Sequence, residues 1–459
     1  MRMDMAFRIL ALCLAFCAAG EGKLLELPPG VTELDRPLVL EAAEDGVQIR
    51  GAAAGSTLKA SASFQGEALI VARGVNDLSI ERLTLDGNRT ALERPFPIAP
   101  YDKAFVDFYP LNGILVEGGV GLIIRDVTVR QVVNFALLVA RTENVRLQQL
   151  RIEHCGSRDA AGKNNTTGGI LLEEGVKNFE VRFSKFRAIR GNALWTHSRM
   201  ESPRNRDGWI QENDFNGVGR DAVQIGHATN VRVVLNTMAN IGYPAEIVDV
   251  ANGGIPVGID TAGNVDKSIY TENLMLEVNG KCFDLDGFHH GEVTRNRCVN
   301  RKAAKDYPHG HFGIVLNNTN PDMRSEAILI ENNEIEGMKY GGIFLIGRGN
   351  TVRKNRMRWL NLAGCTESHS PTVGCYFLPN EDGMLRSGIY LGKGAERPDP
   401  AEDNVVEDNL ITGHKMQERC VGFSPVVDPA RQRVERNACL DVDVRERDNE
   451  RGKVRERQP

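Results

Sequence analysis

Val257-Gly-Ile-Asp260, Glu272-Asn273-Leu-Met275, Cys282-Phe-Asp-Leu285 and Arg295-Asn296-Arg-Cys298 are two successive rounds of one pattern. In each round a small or apolar residue opens a short alternating strand. A pair containing Asn then precedes the next apolar residue. The strand motif recurs upstream at Gly113-Ile-Leu-Val116, Gly169-Ile-Leu-Leu172, Ala193-Leu-Trp-Thr196 and Ala222-Val-Gln-Ile225. Downstream it returns at Gly313-Ile-Val-Leu316, Gly342-Ile-Phe-Leu345 and Gly388-Ile-Tyr-Leu391. The Asn motif steps by 22 or 23 residues between 213 and 236, 273 and 296, and 333 and 355.

Strands that alternate at period two bury one face and expose the other. No amphipathic helical stretch separates them, which argues against a βαβ sheet. A unit of about two dozen residues without a helix cannot bury its apolar face alone and must stack on its copies. The expected fold is therefore all-β, a single right-handed parallel β-helix with loop insertions. Asn suits the bend between strands because it tolerates left-handed backbone and bonds its neighbours. Stacked coils then place Asn over Asn, a structural ladder.

The whole chain fits one extended architecture despite its 459 residues, with 47 glycines and 6% aromatics. Lys+Arg number 56 against Asp+Glu 61, a net charge of −5. That balance provides no basic footprint for nucleic acid or an anionic membrane surface. Arg2 and Arg8 flank the apolar run from Ile9 to Cys17, and Ala18-Ala19-Gly20 follows. Residues 1–20 read as a secretory signal peptide, which implies a secreted or periplasmic protein. No later stretch is long and apolar enough to span a membrane. Residues 21–440 then form the solenoid, and 441–459 a charged tail without a core pattern. Removal of Cys13 and Cys17 leaves seven of nine cysteines. Cys282 and Cys298 share a coil, Cys365 and Cys375 share an inserted loop, and Cys420 and Cys439 lie near the end. Cys155 has no local partner, and spacing leaves the pairing open. Oligomeric state is not legible.

Leu27-Pro-Pro-Gly-Val-Thr-Glu-Leu-Asp-Arg-Pro-Leu-Val-Leu40, Val47-Gln-Ile-Arg-Gly51 and Leu83-Thr-Leu-Asp-Gly87 resemble the first coils of pectin-lyase-like β-helix proteins. The resemblance covers roughly residues 24–440 and implies the fold. It also implies an acidic polysaccharide or another glycan as partner, although fold does not decide function.

Alternation assigns outward pairs coil by coil: Leu115 and Glu117, Leu171 and Glu173, Trp195 and His197, Gln224 and Gly226, Gly258 and Asp260, Asp284 and Asp286, Val315 and Asn317, Phe344 and Ile346. In this alignment Asp260 and Asp286 share a rung of adjacent coils, with Asp284 two residues before Asp286. Neighbouring strands lie about 4.8 Å apart and residues i and i+2 about 6.6 Å apart. Three carboxylates are thus expected in one patch, with no Lys or Arg among them. Mutual repulsion then holds one protonated beside an ionised partner, as glycoside hydrolysis requires.

The expected catalytic set is Asp260, Asp284, Asp286, His289 and His311. Trp195, His197, Gln224, His227, His290 and Asn317 are expected to bind substrate, with Trp195 and His197 as a stacking platform. The order Asp260, then Asp284 and Asp286, then His309-Gly310-His311 resembles that of polygalacturonase-type hydrolases, whose Asn-Thr-Asp and Arg-Ile-Lys motifs are absent here. No cofactor is expected for hydrolysis. The rival readings are a lyase or uronate epimerase, in which the carboxylates bind calcium and His289 or His290 is the base, and a non-catalytic carbohydrate-binding solenoid. The insertions 89–112, 155–168, 241–254, 301–310 and 362–386 are expected to wall a groove if they share the aspartates' side.

Overall fold

The computed structural model describes residues 23–250, 254–319, 323–365, 384–394 and 397–444. The expected signal peptide, Cys375 and most of the charged tail lie outside these residues. The described chain carries 39 strands in one continuous hydrogen-bonded ladder, and every pairing between strands is parallel. Each round contributes one strand to each of three sheets, so the ladder winds as a β-helix.

One round shows the plan. Lys281–Asp286 lies in the first sheet, Glu292–Thr294 in the second and Arg297–Val299 in the third. The next round repeats it with Ile314–Asn317, Leu329–Glu331 and Glu334–Glu336. Side chains facing the interior stack in like rows, such as Phe186 on Phe215 with ring centroids 4.5 Å apart, and rings also pack between positions, as Tyr270 does on Phe288 at 5.1 Å. Burying a row of this kind stabilises by about 1.5–3 kcal/mol per side chain before conformational entropy is counted.

The Asn ladder runs along the corner between the second and third sheets. The Asn236 Oδ1 accepts the Asn213 backbone N–H at 3.0 Å, and the step repeats from Asn236 to Asn273 (3.1 Å), Asn273 to Asn296 (3.0 Å) and Asn296 to Asn333 (3.0 Å). The left-handed residue at this corner is the one before the Asn: φ is 55° at Glu212, 58° at Leu235, 58° at Glu272 and 55° at Arg295. The Asn is therefore selected for its side-chain amide, which carries both a donor and an acceptor, more than for its backbone tolerance.

Cys282–Cys298 and Cys420–Cys439 are disulfides, each within its own neighbourhood of the stack. Cys155 is a free buried thiol, pushed up to about 12 by burial. In chain order all five insertions precede strands of the first sheet, the face that carries the aspartates; 251–253 and 366–383 lie outside the described residues. Among the described residues no helix is long and apolar enough to cross a membrane.

Candidate functional site

Strand register decides which carboxylates meet. On the outer face of the first sheet Trp195 lies beside Gln224, Gln224 beside Asp260, Asp260 beside Asp284, and Asp284 beside Val315. Asp286 lies two residues further along, opposite Asn317. Asp260 and Asp286 therefore do not share a rung, contrary to the sequence alignment. The reason is local. Gly258, not Val257, is the small residue that opens this strand, because a Cβ there would stand 2.7 Å from the Cys282 carbonyl oxygen and 2.5 Å from the Met275 sulfur. Gly258 is turned inward, and Asp260 moves into the column of Gln224 and Asp284.

The patch also contains a cation. Lys281 donates from Nζ to Asp284 Oδ2, and both side chains are largely buried. The expectation of an aspartate patch without Lys or Arg is thus overturned, because the residue just before the strand-opening position reaches over the face. The same position two coils earlier, in the coil of Gln224 that adjoins that of Asp260, is Asp221, a fourth acid that sequence alternation missed. Its Oδ1 accepts the Val257 backbone N–H at 3.0 Å, and its own N–H donates to Asn192 Oδ1 at 3.3 Å. Asn192 also donates to Gln224 Oε1 at 2.6 Å. Stepping one residue back from each small opening residue would have found both Asp221 and Lys281.

Electrostatics follow from this packing. Asp260 is buried, and its carboxyl sits well above the usual carboxylate range. Burial is the main cause, and the charges of Asp221 and Asp284 add to it against the opposing pull of Lys281. Asp221 is pushed up to about 7, again chiefly by burial, with Arg220 pulling the other way and Asp284 adding to the rise. Burial would lower Lys281, but Asp284, Asp260 and Asp221 outweigh it and hold the ammonium above its ordinary value. The arrangement pushes Asp260 toward its neutral carboxylic acid form, next to Asp284, which is ion-paired with Lys281.

Four of the histidines spread over three places. His311 is buried, and burial followed by Lys281 and Lys339 holds it well below its ordinary value, so its ring is neutral. His289 and His290 follow the turn at Gly287 (φ 65°), and His289 is in register with Asp266, round the corner from Asp284. Its Nδ1 lies 3.2 Å from the Gly287 carbonyl oxygen, and the His290 N–H donates to the Glu326 carbonyl. His227, also past a corner, is buried; burial and then Arg204 lower it, and its Nδ1 has no hydrogen-bond partner. Asp286 accepts from the Thr319 backbone N–H at 2.8 Å and from its hydroxyl at 2.5 Å.

Trp195 and His197 do point away from the core, but they are not an open platform. Phe105, from the insertion 89–112, stacks on His197 at 4.4 Å and meets Trp195 edge-on at 5.1 Å. Glu173, 0% exposed, accepts the N–H groups of Phe105 (2.9 Å) and Val106 (2.5 Å), and His197 Nδ1 lies 3.3 Å away. Glu173, Glu174 and His197 cluster closely enough to hold a cation. Their atoms are already engaged, however: Glu174 takes Arg199 and Ser202 as Glu173 takes the loop amides. The cluster is a structural clamp.

Three of the insertions are joined to one another. His309 Nε2 lies 3.3 Å from the Ala245 carbonyl, Tyr243 donates to the Asp306 carbonyl at 2.8 Å, and the Asn164 N–H donates to the Ile247 carbonyl at 2.8 Å. Residues 155–168, 241–250 and 301–310 thus form a linked wall on the side of the first sheet that carries the acids.

No family model and no characterised protein matches the sequence. Solved structures do match in shape. Bacteriophage phi29 gene product 12 aligns with 90% of this chain and 55% of its own length, at 11% identity and a TM-score of 0.51. The Dettilon tailspike protein aligns with 90% of this chain at 12% identity and a TM-score of 0.49, and the chain spans 62% of that protein's length. The DFA-IIIase of Arthrobacter chlorophenolicus A6, solved with GF2, aligns with 94% of this chain and 93% of its own at 13% identity and a TM-score of 0.49. At such identities the likeness speaks for the fold alone. With its three parallel sheets and its Asn corner, the chain has the right-handed parallel β-helix fold.

Proposed function

We propose that this is a secreted glycoside hydrolase acting on a polysaccharide or oligosaccharide. The observation that carries the reading is the pairing of Asp260 with Asp284: one carboxyl kept neutral by burial and like charge, its neighbour ion-paired to Lys281. Asp260 protonates the leaving glycosidic oxygen, a step that contributes about 10²–10⁴-fold. The Asp284 carboxylate meets the sugar carbon that bears developing positive charge. Adjacent strands lie about 4.8 Å apart, close to the about 5 Å carboxyl separation of retaining enzymes, so Asp284 is the nucleophile in a double displacement. Asp221, poised near neutrality, exchanges protons with the pair. Gln224, Asp286, Asn317 and His311 surround the pair and supply hydrogen bonds to the sugar.

Lys281 and the neutral His311 also favour a second reading, a uronate lyase or epimerase. There Lys281 would offset the substrate carboxylate and His311 would take the ring proton. Lys281 already neutralises Asp284, which weighs against calcium at that carboxylate. Incubation with neutral and acidic glycans, with and without chelator, separates the readings. New reducing ends without ultraviolet absorbance, of retained anomeric configuration and indifferent to chelator, support the hydrolase. Unsaturated products overturn it in favour of the lyase, and binding without cleavage in favour of a carbohydrate-binding solenoid.

A further inference from the structure

The outer face of the first sheet is closed at one end. Leu115, Leu138, Leu171 and Glu173 alternate away from the core, yet each is 0% exposed. The cover is the insertion 89–112, whose Phe105 and Val106 amides are held by Glu173 and whose Phe105 ring lies on His197. The insertion is itself tied down. Glu93 pairs with Arg190, the Phe96 N–H donates to the Arg158 carbonyl at 2.9 Å, and the Ala99 N–H donates to the Tyr109 hydroxyl at 2.7 Å. Asn165 Nδ2 closes the set with a 3.0 Å bond to the Phe96 carbonyl.

Trp195 is the last outward side chain before Gln224 and Asp260. Its ring backs onto Phe105, and its Nε1 faces the acids' side, 3.4 Å from where a Cβ on Gly226 would stand. Trp195 is 7% exposed, and that N–H has no hydrogen-bond partner. A buried indole N–H ordinarily finds an acceptor, so one left over two strands from Asp260 calls for a ligand oxygen.

We infer that the acids serve a blind-ended site that takes the end of a glycan chain. Phe105 and Trp195 form the end wall, and the Trp195 N–H donates to an oxygen of the terminal sugar. A chain cannot run past this wall, so cleavage is exo and removes one fixed unit at a time. The inference rests on the hydrolase reading for its cleavage pattern and on the wall alone for its binding pattern.

The test uses a length series of linear glycans from the cleaved class, their polymer, and a cyclic oligosaccharide with no chain end. The expected result is one short product from the first time point, slow loss of polymer viscosity, and an intact cyclic compound. Trp195→Phe keeps the ring and removes the donor: KM rises up to about tenfold with kcat and product size little changed. Glu173→Gln, and separately Phe105→Ala, loosen the insertion and raise the share of internal products. Mixed product lengths at the first time point, or a cleaved cyclic substrate, overturn the inference. Binding of the same compounds to Asp260→Asn covers failure of the chemistry: if the native enzyme cleaves nothing, the hydrolase reading falls. The blind end still stands if linear compounds bind and the cyclic one does not. Equal binding of both, or binding of neither, overturns it.

Discussion

Two columns of side chains run up this β-helix, and they solve opposite problems. At the corner between the second and third sheets, Asn213, Asn236, Asn273, Asn296 and Asn333 stack, each amide accepting one backbone N–H and donating in turn. On the first sheet, Asp260 stacks beside Asp284. An Asn carries both a donor and an acceptor, so a pile of them satisfies itself. A carboxylate carries acceptors only, so a pile of them needs a proton or a cation at each step. The first column can be repeated along the whole stack at a gain. The second is short, surrounded by Lys281 and Arg220, and leaves one acid protonated. Repetition marks the structural column, and the break in repetition marks the chemical one.

The sharpest way to break that contrast is to make the acid column resemble the amide column. Asp260→Asn removes the proton donor and the like-charge repulsion together. Glycan cleavage is expected to fall by about 10²–10⁴-fold, equivalent to about 3–5 kcal/mol of barrier. Thermal stability is expected to rise, by about 0.5–2 kcal/mol, because a strained functional group has been relaxed. Lower activity with lower stability would mean that Asp260 is a structural residue. Lys281→Met takes away the cation instead and leaves Asp284 buried beside Asp260 without its partner. Removing one partner of a buried pair costs about 3–5 kcal/mol. Denaturant unfolding checks this, and Lys281→Met with Asp284→Asn together should recover most of the loss. Failure of the double variant to recover would show that the ion pair is not the source.

The amide column yields a smaller, purely structural effect. Asn296→Ala orphans the Asn273 backbone N–H and takes an amide from the middle of the ladder. The expected cost is about 1–3 kcal/mol in unfolding free energy, with activity per folded molecule unchanged. A drop in activity larger than the drop in folded fraction would tie the ladder to the chemistry.

How much of this could be read from residues alone differs between the columns for a physical reason. The Asn repeat and the small strand-opening residues are local patterns, and they sufficed to place the strands in coils. Alternation gives the parity of a face but not which residue opens a strand. The sequence pattern takes Val257 as the opening residue, and only the collision of a Cβ with the Cys282 carbonyl and Met275 selects Gly258 instead. That one residue moved Asp260 from the column of Asp286 to that of Asp284. Lys281 and Asp221 escaped notice because they lie just ahead of the strand motif. Trp195 was placed on the correct face, yet what covers it comes from residues 89–112, coils away in sequence, where no strand pattern could announce a contact with Glu173 and His197.

The last way to separate the columns is pH, since amides do not titrate and acids do. Asp221, buried behind the pair, is raised to about 7 from an ordinary value of 3.8. A group whose folded pKa is raised binds its proton more tightly in the folded chain than in the unfolded one. Its contribution to stability is therefore full below about pH 4 and is lost as pH rises through about 7. Between those limits the unfolded chain has released a proton that the folded chain keeps. The slope is at most about 1.4 kcal/mol per pH unit for one proton. Asp221→Asn should remove that slope. Subtracting its unfolding free energy from that of the native protein, across pH 4 to 8, should give a difference that declines toward high pH. The same subtraction with Asn296→Ala should give a difference independent of pH. A flat Asp221→Asn difference would mean that the fourth acid is ionised throughout, and that Asp260 alone holds the proton of the patch.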